Sequence, residues 1–295
     1  MQFLINFVQR VIVKLAREGV FNFLPDKPFL KLLFLARMGK KLDLRNPKTF
    51  NEKIQWLKIN DRSPRYVDLV DKEKAKEIIK ELLGEEYVVP LIGSWDSVEK
   101  IDFDALPDKC VLKCNHDQGS TLMFDREKGV DEDELRKYYR KRLLRSAFDS
   151  TREWPYKNIS PRVICEPFLC EDIIDYKIFC FNGEPGMVNI GQKSIKDHIM
   201  HITFLDTQWD KMPFQRSDFE PVKEVPQKPE NYEKMLEIAR KLAQGTDFVR
   251  IDLFNVGDRI YFSEFSLYPT SGYIKFEPEF GDEILGEKIV LTKKN

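Results

Sequence analysis

The sequence predicts an α+β fold, and three observations predict it. Strand-like and helix-like stretches are mixed, and several strands are joined by tight turns, as at Asn182-Gly183 and Gly257-Asp258, which argues for antiparallel pairing. The helical stretches carry one-sided apolar stripes, such as Ala75, Ile78, Ile79, Leu82 and Leu83, or Met235, Ile238, Ala239 and Leu242. The 295 residues, 42% hydrophobic and 33% charged, suffice for one large domain or two small ones with a sizeable core. No internal repeat or low-complexity tract breaks the pattern.

Taken in order, residues 1 to about 65 read as helical. One break falls at Pro25-Asp26-Lys27-Pro28 and a second at Asn60-Asp61-Arg62-Ser63-Pro64, where turn formers precede a proline. Asp71 caps the next helix and Gly84 ends it. Short strands follow at Tyr87 to Leu91 and Cys110 to Cys114, then a charged helix from Glu132 to Leu144. Val163 to Leu169 and Tyr176 to Phe181 are strands, and Asn182-Gly183 turns the second into a return over Met187 to Ile190. Asn231 to Ala243 is an amphipathic helix with Gly245 after it. Finally, Phe248, Arg250 and Asp252 alternate with Val249, Ile251 and Leu253, the period of a half-buried strand. Gly257-Asp258 turns it into Ile260 to Leu267, rich in aromatic and branched residues. The division expected is a helical region over 1–65, a lysine-bearing part over 66–170 and a C-terminal part over 171–295.

Composition narrows the function. With 48 basic and 49 acidic residues there is no broad positive field, which argues against nucleic-acid binding. The five cysteines are odd in number, and the C-x₃-C pair Cys110/Cys114 has no matching second pair, so they read as reduced core thiols of a cytoplasmic protein. The first 24 residues are apolar, but Arg10, Lys14 and Arg17 interrupt them, leaving no span long enough for a transmembrane helix, and no small-residue cleavage site follows. Phe3, Leu4, Phe7, Val8, Val11 and Leu15 fall at helical spacing. Two readings stay open: a helix packed on the rest of the protein, or a basic amphipathic helix at the inner face of the membrane.

The last two strands carry the most informative residues. An antiparallel return brings Asp252 near the level of Glu264, and two carboxylates there could hold Mg²⁺, which takes one or two carboxylates plus phosphate oxygens. The register is open, since a one-residue slip puts the two on opposite faces and leaves them as solvated surface groups. Arg250 shares a face with Asp252, and a guanidinium beside a metal-bound phosphate steadies charge that builds in a transition state. Lys113 lies in the apolar strand Cys110 to Cys114, where an unpaired ammonium is costly; a phosphate or an ion pair with a carboxylate would resolve the cost. Loops that cradle phosphates want glycines, so that N–H groups turn inward. The loop Asn115-His116-Asp117-Gln118-Gly119-Ser120 has only Gly119, and Asp117 would repel phosphate unless a cation intervenes. His116 either touches phosphate or substrate, or is polar surface. Lys72 opens a helix whose Lys74, Lys76 and Lys80 read as solvated face charges.

The pattern Arg250-x-Asp252 with Glu264-x-Ser266, ending in Tyr268-Pro269-Thr270-Ser271-Gly272, resembles the metal-binding end of the ATP-grasp ligases. Asp71-Lys72 and Val111-Leu112-Lys113 look like that superfamily's two nucleotide lysines, and Glu166-Pro167-Phe168-Leu169 like its adenine-binding strand. Four segments resemble the TupA-like branch, found in genes for bacterial surface polysaccharides: Asn46 to Lys53, Val111 to His116, Arg152 to Asn158 and Asp175 to Gly183. The resemblance runs from about Asn46 to the Gly272 region. The sequence departs from it in the glycine-poor loop and in Ser266, where the superfamily commonly has Asn.

The resemblance implies an ATP-grasp fold, two α+β subdomains with antiparallel sheets clasping a nucleotide, preceded by the helical segment. It implies ATP and Mg²⁺ as cofactors. Lys72, Lys113, His116, Gly119 and Ser120 would meet phosphates, Glu166 and Leu169 adenine, and Glu171 or Asp172 ribose. Asp252, Glu264 and Ser266 would hold Mg²⁺; Arg250, Gly272 and Lys177 would serve the chemistry. The activity implied is a carboxylate–amine ligase acting through an acyl phosphate, joining an amino acid or amine to a sugar acid of a polysaccharide or its precursor. The alternatives are a glycosyltransferase, for which Asp102-Phe103-Asp104 is a formal metal motif, and a non-catalytic nucleotide-binding module.

Overall fold

Prolines and caps set the N-terminal helices. The computed structural model describes residues 2–171, 173–193 and 200–292, and only the backbone of 2–6, 192 and 193. Helix α1 (Gln2–Arg17) packs on α2 (Asp26–Met38) through a small core of Ala16, Phe29, Leu30, Leu33 and Phe34, joined by Leu42 and Tyr273. The break expected at Pro25 to Pro28 sits earlier, in the turn after Arg17, because Pro25 precedes α2 and Pro28 lies in its first turn, where a missing N–H costs nothing. Helix α3 (Phe50–Asn60) starts on a capping box, Thr49 Oγ1 accepting from the Glu52 N–H while Glu52 accepts from the Thr49 N–H, both at 3.3 Å. Helices α4 (Arg65–Val70) and α5 (Lys74–Leu82) meet at Asp71, whose Oδ1 accepts from the Glu73 N–H at 2.9 Å; α5 starts later than expected, with Glu73 and not Asp71 at its N-cap position.

The expected strand from Tyr87 to Leu91 is absent. Glu85–Tyr87 is a 3₁₀ turn, Val88 makes one isolated bridge to Phe262, and Pro90 lacks a donor for a ladder. The strand comes later, as β1 (Gly93–Trp95). A four-stranded antiparallel sheet follows, formed by β1, β2 (Lys109–Cys114), β3 (Leu122–Asp125) and β4 (Val163–Pro167) in the order β1-β4-β2-β3. Helices α6 (Glu132–Leu143) and α7 (Ala147–Thr151) intervene before β4. Tyr139 of α6 is buried against Cys110, Leu112, Phe124 and Val163, its hydroxyl donating to the Leu112 carbonyl at 2.7 Å, so the ring brings a satisfied polar end into an apolar core.

A five-stranded antiparallel sheet forms the rest, from β5 (Ile174–Phe181), β6 (Glu184–Lys193), β7 (Met200–Leu205), and, after the short β8 (Gln215–Arg216) and helix α8 (Tyr232–Leu242), β9 (Phe248–Val256) and β10 (Arg259–Ser266). Its order is β10-β9-β5-β6-β7. Asn182-Gly183 turns β5 into β6 as expected, both residues at positive φ. The short β11 (Phe276–Glu277) pairs with β8, and α9 (Phe280–Glu287) closes the described chain. The largest core runs from Phe50 to Ile289, and it includes Ala75 and Ile79 of α5. Cores therefore do not follow the division at residue 65: α3, α4 and α5 are built on the large sheet, while the small sheet has its own core.

Helix α3 explains why the Asn46 to Lys53 segment and its continuation carry so many polar residues. Asn51 donates to the Ile274 carbonyl at 2.8 Å and accepts from its N–H at 2.9 Å. Lys53 Nζ donates to the carbonyls of Gly286 and Ile289, both at 2.8 Å. Gln55 Nε2 donates to the carbonyls of Ser271 and Gly272. Gly286 lets α9 approach, because a Cβ there would lie 2.2 Å from the Lys48 carbonyl oxygen. One helix of the N-terminal region thus holds the C-terminal segment in place.

Candidate active site

A bulge decides the register that the sequence leaves open. Phe262 pairs with Leu253, but Glu264 pairs with Asp252, so Ser263 is the extra residue. On the other side of β9, Lys177 pairs with Asp252. Lys177, Asp252 and Glu264 form one row across β5, β9 and β10, with Phe179, Arg250 and Ser266 in the next row on that face.

The row is wired by charge. Arg250 grips Asp252 with both arms, Nε to Oδ1 and Nη2 to Oδ2 at 2.6 Å each, and its Nη2 lies 3.3 Å from Glu264 Oε1. Lys177 Nζ donates to Asp252 Oδ2 at 3.1 Å and also pairs with Asp175. From the junction of α4 and α5, Lys72 Nζ comes within 3.6 Å of Glu264 Oε2. Asp252 is only 1% exposed, whereas the Glu264 side chain keeps 28% of its surface. Burial pushes the Glu264 carboxyl up, but Lys72, Arg250, Lys177 and Lys113 outweigh it and hold the group at about 2. Burial pushes the Lys177 ammonium down, with Asp252 opposing.

Lys113 takes the ion-pair solution to its burial: its Nζ is 2.7 Å from Glu166 Oε2. Lys76 Nζ is 2.7 Å from Glu166 Oε1 and donates to the Val89 carbonyl. Burial pushes the Glu166 carboxyl up, and the two lysines bring it below the usual range. Lys76 is therefore no solvated face charge. The signal was its place on α5, three residues before the buried Ile79 and on the same face. Around the cleft five cations (Lys72, Lys76, Lys113, Lys177, Arg250) are linked to four carboxylates (Glu166, Asp175, Asp252, Glu264).

The Asn115–Ser120 loop is stitched to Lys72. Lys72 Nζ donates to the Asp117 carbonyl at 2.6 Å, its N–H to the Asn115 carbonyl, and Asn115 Nδ2 to Asp71 Oδ1 at 3.0 Å. The cation that Asp117 needs is Arg142 of α6, 2.5 Å away. His116 is buried rather than polar surface, with Nδ1 3.3 Å from Asn115 Oδ1, and burial pushes its pKa down. Ser120 is buried too, its Oγ accepting from the Cys114 N–H at 2.8 Å, so its hydroxyl ties the loop to β2. Gly119 has φ +72 and open space beside it.

Leu169 and Pro167 line a cavity of ≈ 350 Å³ with Glu85, Glu86, Val88, Pro90, Arg259 and Tyr261, between the end of β4 and the edge strand β10. Glu166 lies one residue away, turned to the two lysines. Glu171 is exposed and paired with Lys109. Asp172 lies outside the described residues. Asp102 and Asp104 are exposed, Asp102 accepting from the Asp104 N–H within its own turn.

Beyond β10, Thr270, Ser271 and Gly272 have φ of 50°, 55° and 66° in succession, a strained run that needs external support. Support comes from residues to which the sequence reading assigned no role. Lys58 Nζ donates to the carbonyls of Ser271 and Thr151 at 2.9 Å, and Glu153 binds the Ser271 hydroxyl. Lys58 and Glu153 lie in or beside the conspicuous segments Asn46 to Lys53 and Arg152 to Asn158, which was the available signal. At Gly272 a Cβ would lie 2.7 Å from Ile54 Cγ2, so glycine is required by both conformation and space.

The family model for TupA-like ATP-grasp proteins matches residues 52–290. The chain belongs to the TupA-like ATP-grasp family. No curated protein matches it. Among solved structures it is similar to the D-alanine–D-alanine ligase of Bacillus anthracis complexed with ATP, at 17% identity and TM-score 0.39 over 68% of this chain. It spans 53% of that ligase, about half its length. It is similar to the Helicobacter pylori D-alanine–D-alanine ligase at 16% identity and TM-score 0.42, covering 82% of this chain and 69% of that one. For the ATP-grasp ligase PsnB with precursor variant, Mg and ADP the figures are 12%, 0.42, 88% and 65%.

Among the described residues no group of three or more His, Cys, Asp or Glu side chains could hold a metal ion. The row offers two carboxylates, Asp252 and Glu264, with the Ser266 hydroxyl on the same face, donors of the kind Mg²⁺ takes with phosphate oxygens, though Arg250 and Lys177 hold both Asp252 oxygens and would have to release one.

Proposed function

We propose that this TupA-like ATP-grasp protein is an ATP-dependent carboxylate–amine ligase. The observation that carries the reading is the row Lys177–Asp252–Glu264 with Lys72 reaching it from the junction of α4 and α5. Lys72 and Lys113 would bind phosphates, and the Leu169 cavity would take adenine. Asp252, Glu264 and Ser266 would hold Mg²⁺, which when bound neutralises phosphate charge and orients the terminal phosphoryl group. A carboxylate oxygen of the acid substrate would attack the γ-phosphorus, releasing ADP and leaving an acyl phosphate. An amine would then attack the acyl carbon, releasing phosphate and a proton and forming the amide. Arg250 and Lys177 would steady charge on the transferring group, and the Gly272 N–H would meet the oxyanion at the acyl carbon. The family's place among surface-polysaccharide genes supports a sugar acid as the acid and an amino acid or amine as its partner.

The test is thermal stability with Mg²⁺ and ATP, ADP, UDP-glucose or UDP-glucuronate, on wild type and Asp252→Asn/Glu264→Gln. A ligand that binds the folded state alone raises its midpoint. Stabilisation by Mg-ATP that is lost in the double variant is the expected result, followed by ADP release in acid–amine screens. Stabilisation by a UDP-sugar and not by ATP would overturn the proposal in favour of a glycosyltransferase. Silence toward every nucleotide would overturn the proposal and leave a module that kept the fold without nucleotide binding.

A further inference from the structure

The N-terminal helix presents the wrong face to solvent for a helix that exists only to pack. Ala16 is buried and Val13 packs beside it, yet Phe7, Val8 and Val11 are exposed, Phe7 to 57%. The turn after α1 adds Val20 and Phe23, the latter 78% exposed. Beside this apolar arc runs a groove of ≈ 470 Å³ between α1 and α2, lined by Arg10, Lys14, Arg17, Arg37 and Lys275 with no acidic side chain. The nearest paired acid is Glu18, 3.9 Å from Lys14. No helix among the described residues is long and apolar enough to cross a membrane.

We propose that this face is a docking surface for an anionic lipid bilayer, with α1 lying in the plane of the interface. Exposed aromatic and branched residues flanked by cations are what such a helix needs: apolar side chains enter the acyl boundary while lysines and arginines meet lipid phosphates. A second copy is the poorer occupant, because a two-fold interface would set the five-cation groove near its own image. The surface is fixed to the catalytic loop. Arg152 Nη2 donates to the carbonyls of Phe21, Asn22 and Leu24 in the turn after α1. Its neighbour Glu153 binds Ser271, beside Gly272. Docking would therefore fix the position of this loop relative to the membrane. The proposal stands apart from the ligase reading, since neither needs the other's residues.

The experiment is co-sedimentation of the full chain with phosphatidylcholine vesicles, with and without phosphatidylglycerol, at low and high salt. Wild type is expected to bind the anionic vesicles and to leave them at high salt. Phe7→Asp/Val11→Asp should abolish binding, and Arg10→Gln/Lys14→Gln should weaken it about fivefold for each charge removed. All four positions are exposed, so an unchanged thermal midpoint and light-scattering mass serve as controls for folding. Absence of wild-type binding to anionic vesicles, or binding that ignores lipid charge and both double substitutions, would overturn the proposal. So would a wild-type dimer in solution that Phe7→Asp dissociates without any vesicle binding.

Discussion

Two buried lysine–glutamate groups in this molecule face the same desolvation and answer it in opposite ways. Glu166 sits between Lys76 and Lys113 at 2.7 Å each, and the two charges bring its carboxyl below the usual range despite burial. Glu153 has one nearby lysine, Lys58, whose ammonium is spent on two backbone carbonyls; burial pushes Glu153 up and Lys58 down to about 7. The physical difference is contact: Glu166 makes two ion pairs at 2.7 Å, whereas Lys58 and Arg37 act on Glu153 from beyond ion-pair distance, which does not repay taking an ion out of water. The functional difference follows. The first group keeps permanent charge at the edge of a cleft that would receive a polyphosphate. The second is a scaffold that holds the strained Thr270–Gly272 run.

The contrast can be broken most forcefully at Lys58. Lys58→Ala would strip the Thr151 carbonyl of its lysine donor, leave the Ser271 carbonyl to Gln55 and take a cation away from the buried Glu153, so urea unfolding should show a loss of about 3–5 kcal/mol. A loss within about 0.5 kcal/mol, the range of ordinary surface changes, would mean that Lys58 does not hold the loop. Glu166→Gln should cost less, about 2 kcal/mol, the scale of hydrogen bonds to charged groups. Measured against wild type with the same ligand, inorganic triphosphate should narrow the deficit of Glu166→Gln, since phosphate replaces the missing counter-charge, and should leave the deficit of Lys58→Ala unchanged. Equal recovery in both variants would erase the distinction between cleft and scaffold.

A further effect lies in acid. Glu264 is held at about 2 against an ordinary 4.5, so its ionised form contributes stability that is complete above about pH 4.5 and is lost as pH falls through about 2. Over that window the thermal midpoint of wild type should fall more steeply than that of Glu264→Gln. Parallel acid profiles would mean that the four cations do not act on this carboxylate.

Local chemistry was legible in the sequence alone. Turn residues gave the hairpins at Asn182-Gly183 and Gly257-Asp258, period-two alternation gave β9, aromatic and branched residues gave β10, and apolar stripes gave α5 and α8, because each depends on neighbours within a few residues. Motif resemblance gave the family, which the match over residues 52–290 bears out. Pairings between distant segments belonged to the tertiary structure. The bulge at Ser263 decided that Asp252 and Glu264 share a face, and no local preference in the sequence marks it. Glu166 was shared between a strand lysine and a helix lysine, Lys76, that looked solvated until α5 was laid on the sheet. Asn51, Gln55 and Lys58 found their partners more than 90 residues away. A buried polar group must find a partner, but which partner is a matter of packing geometry that sequence distance does not encode.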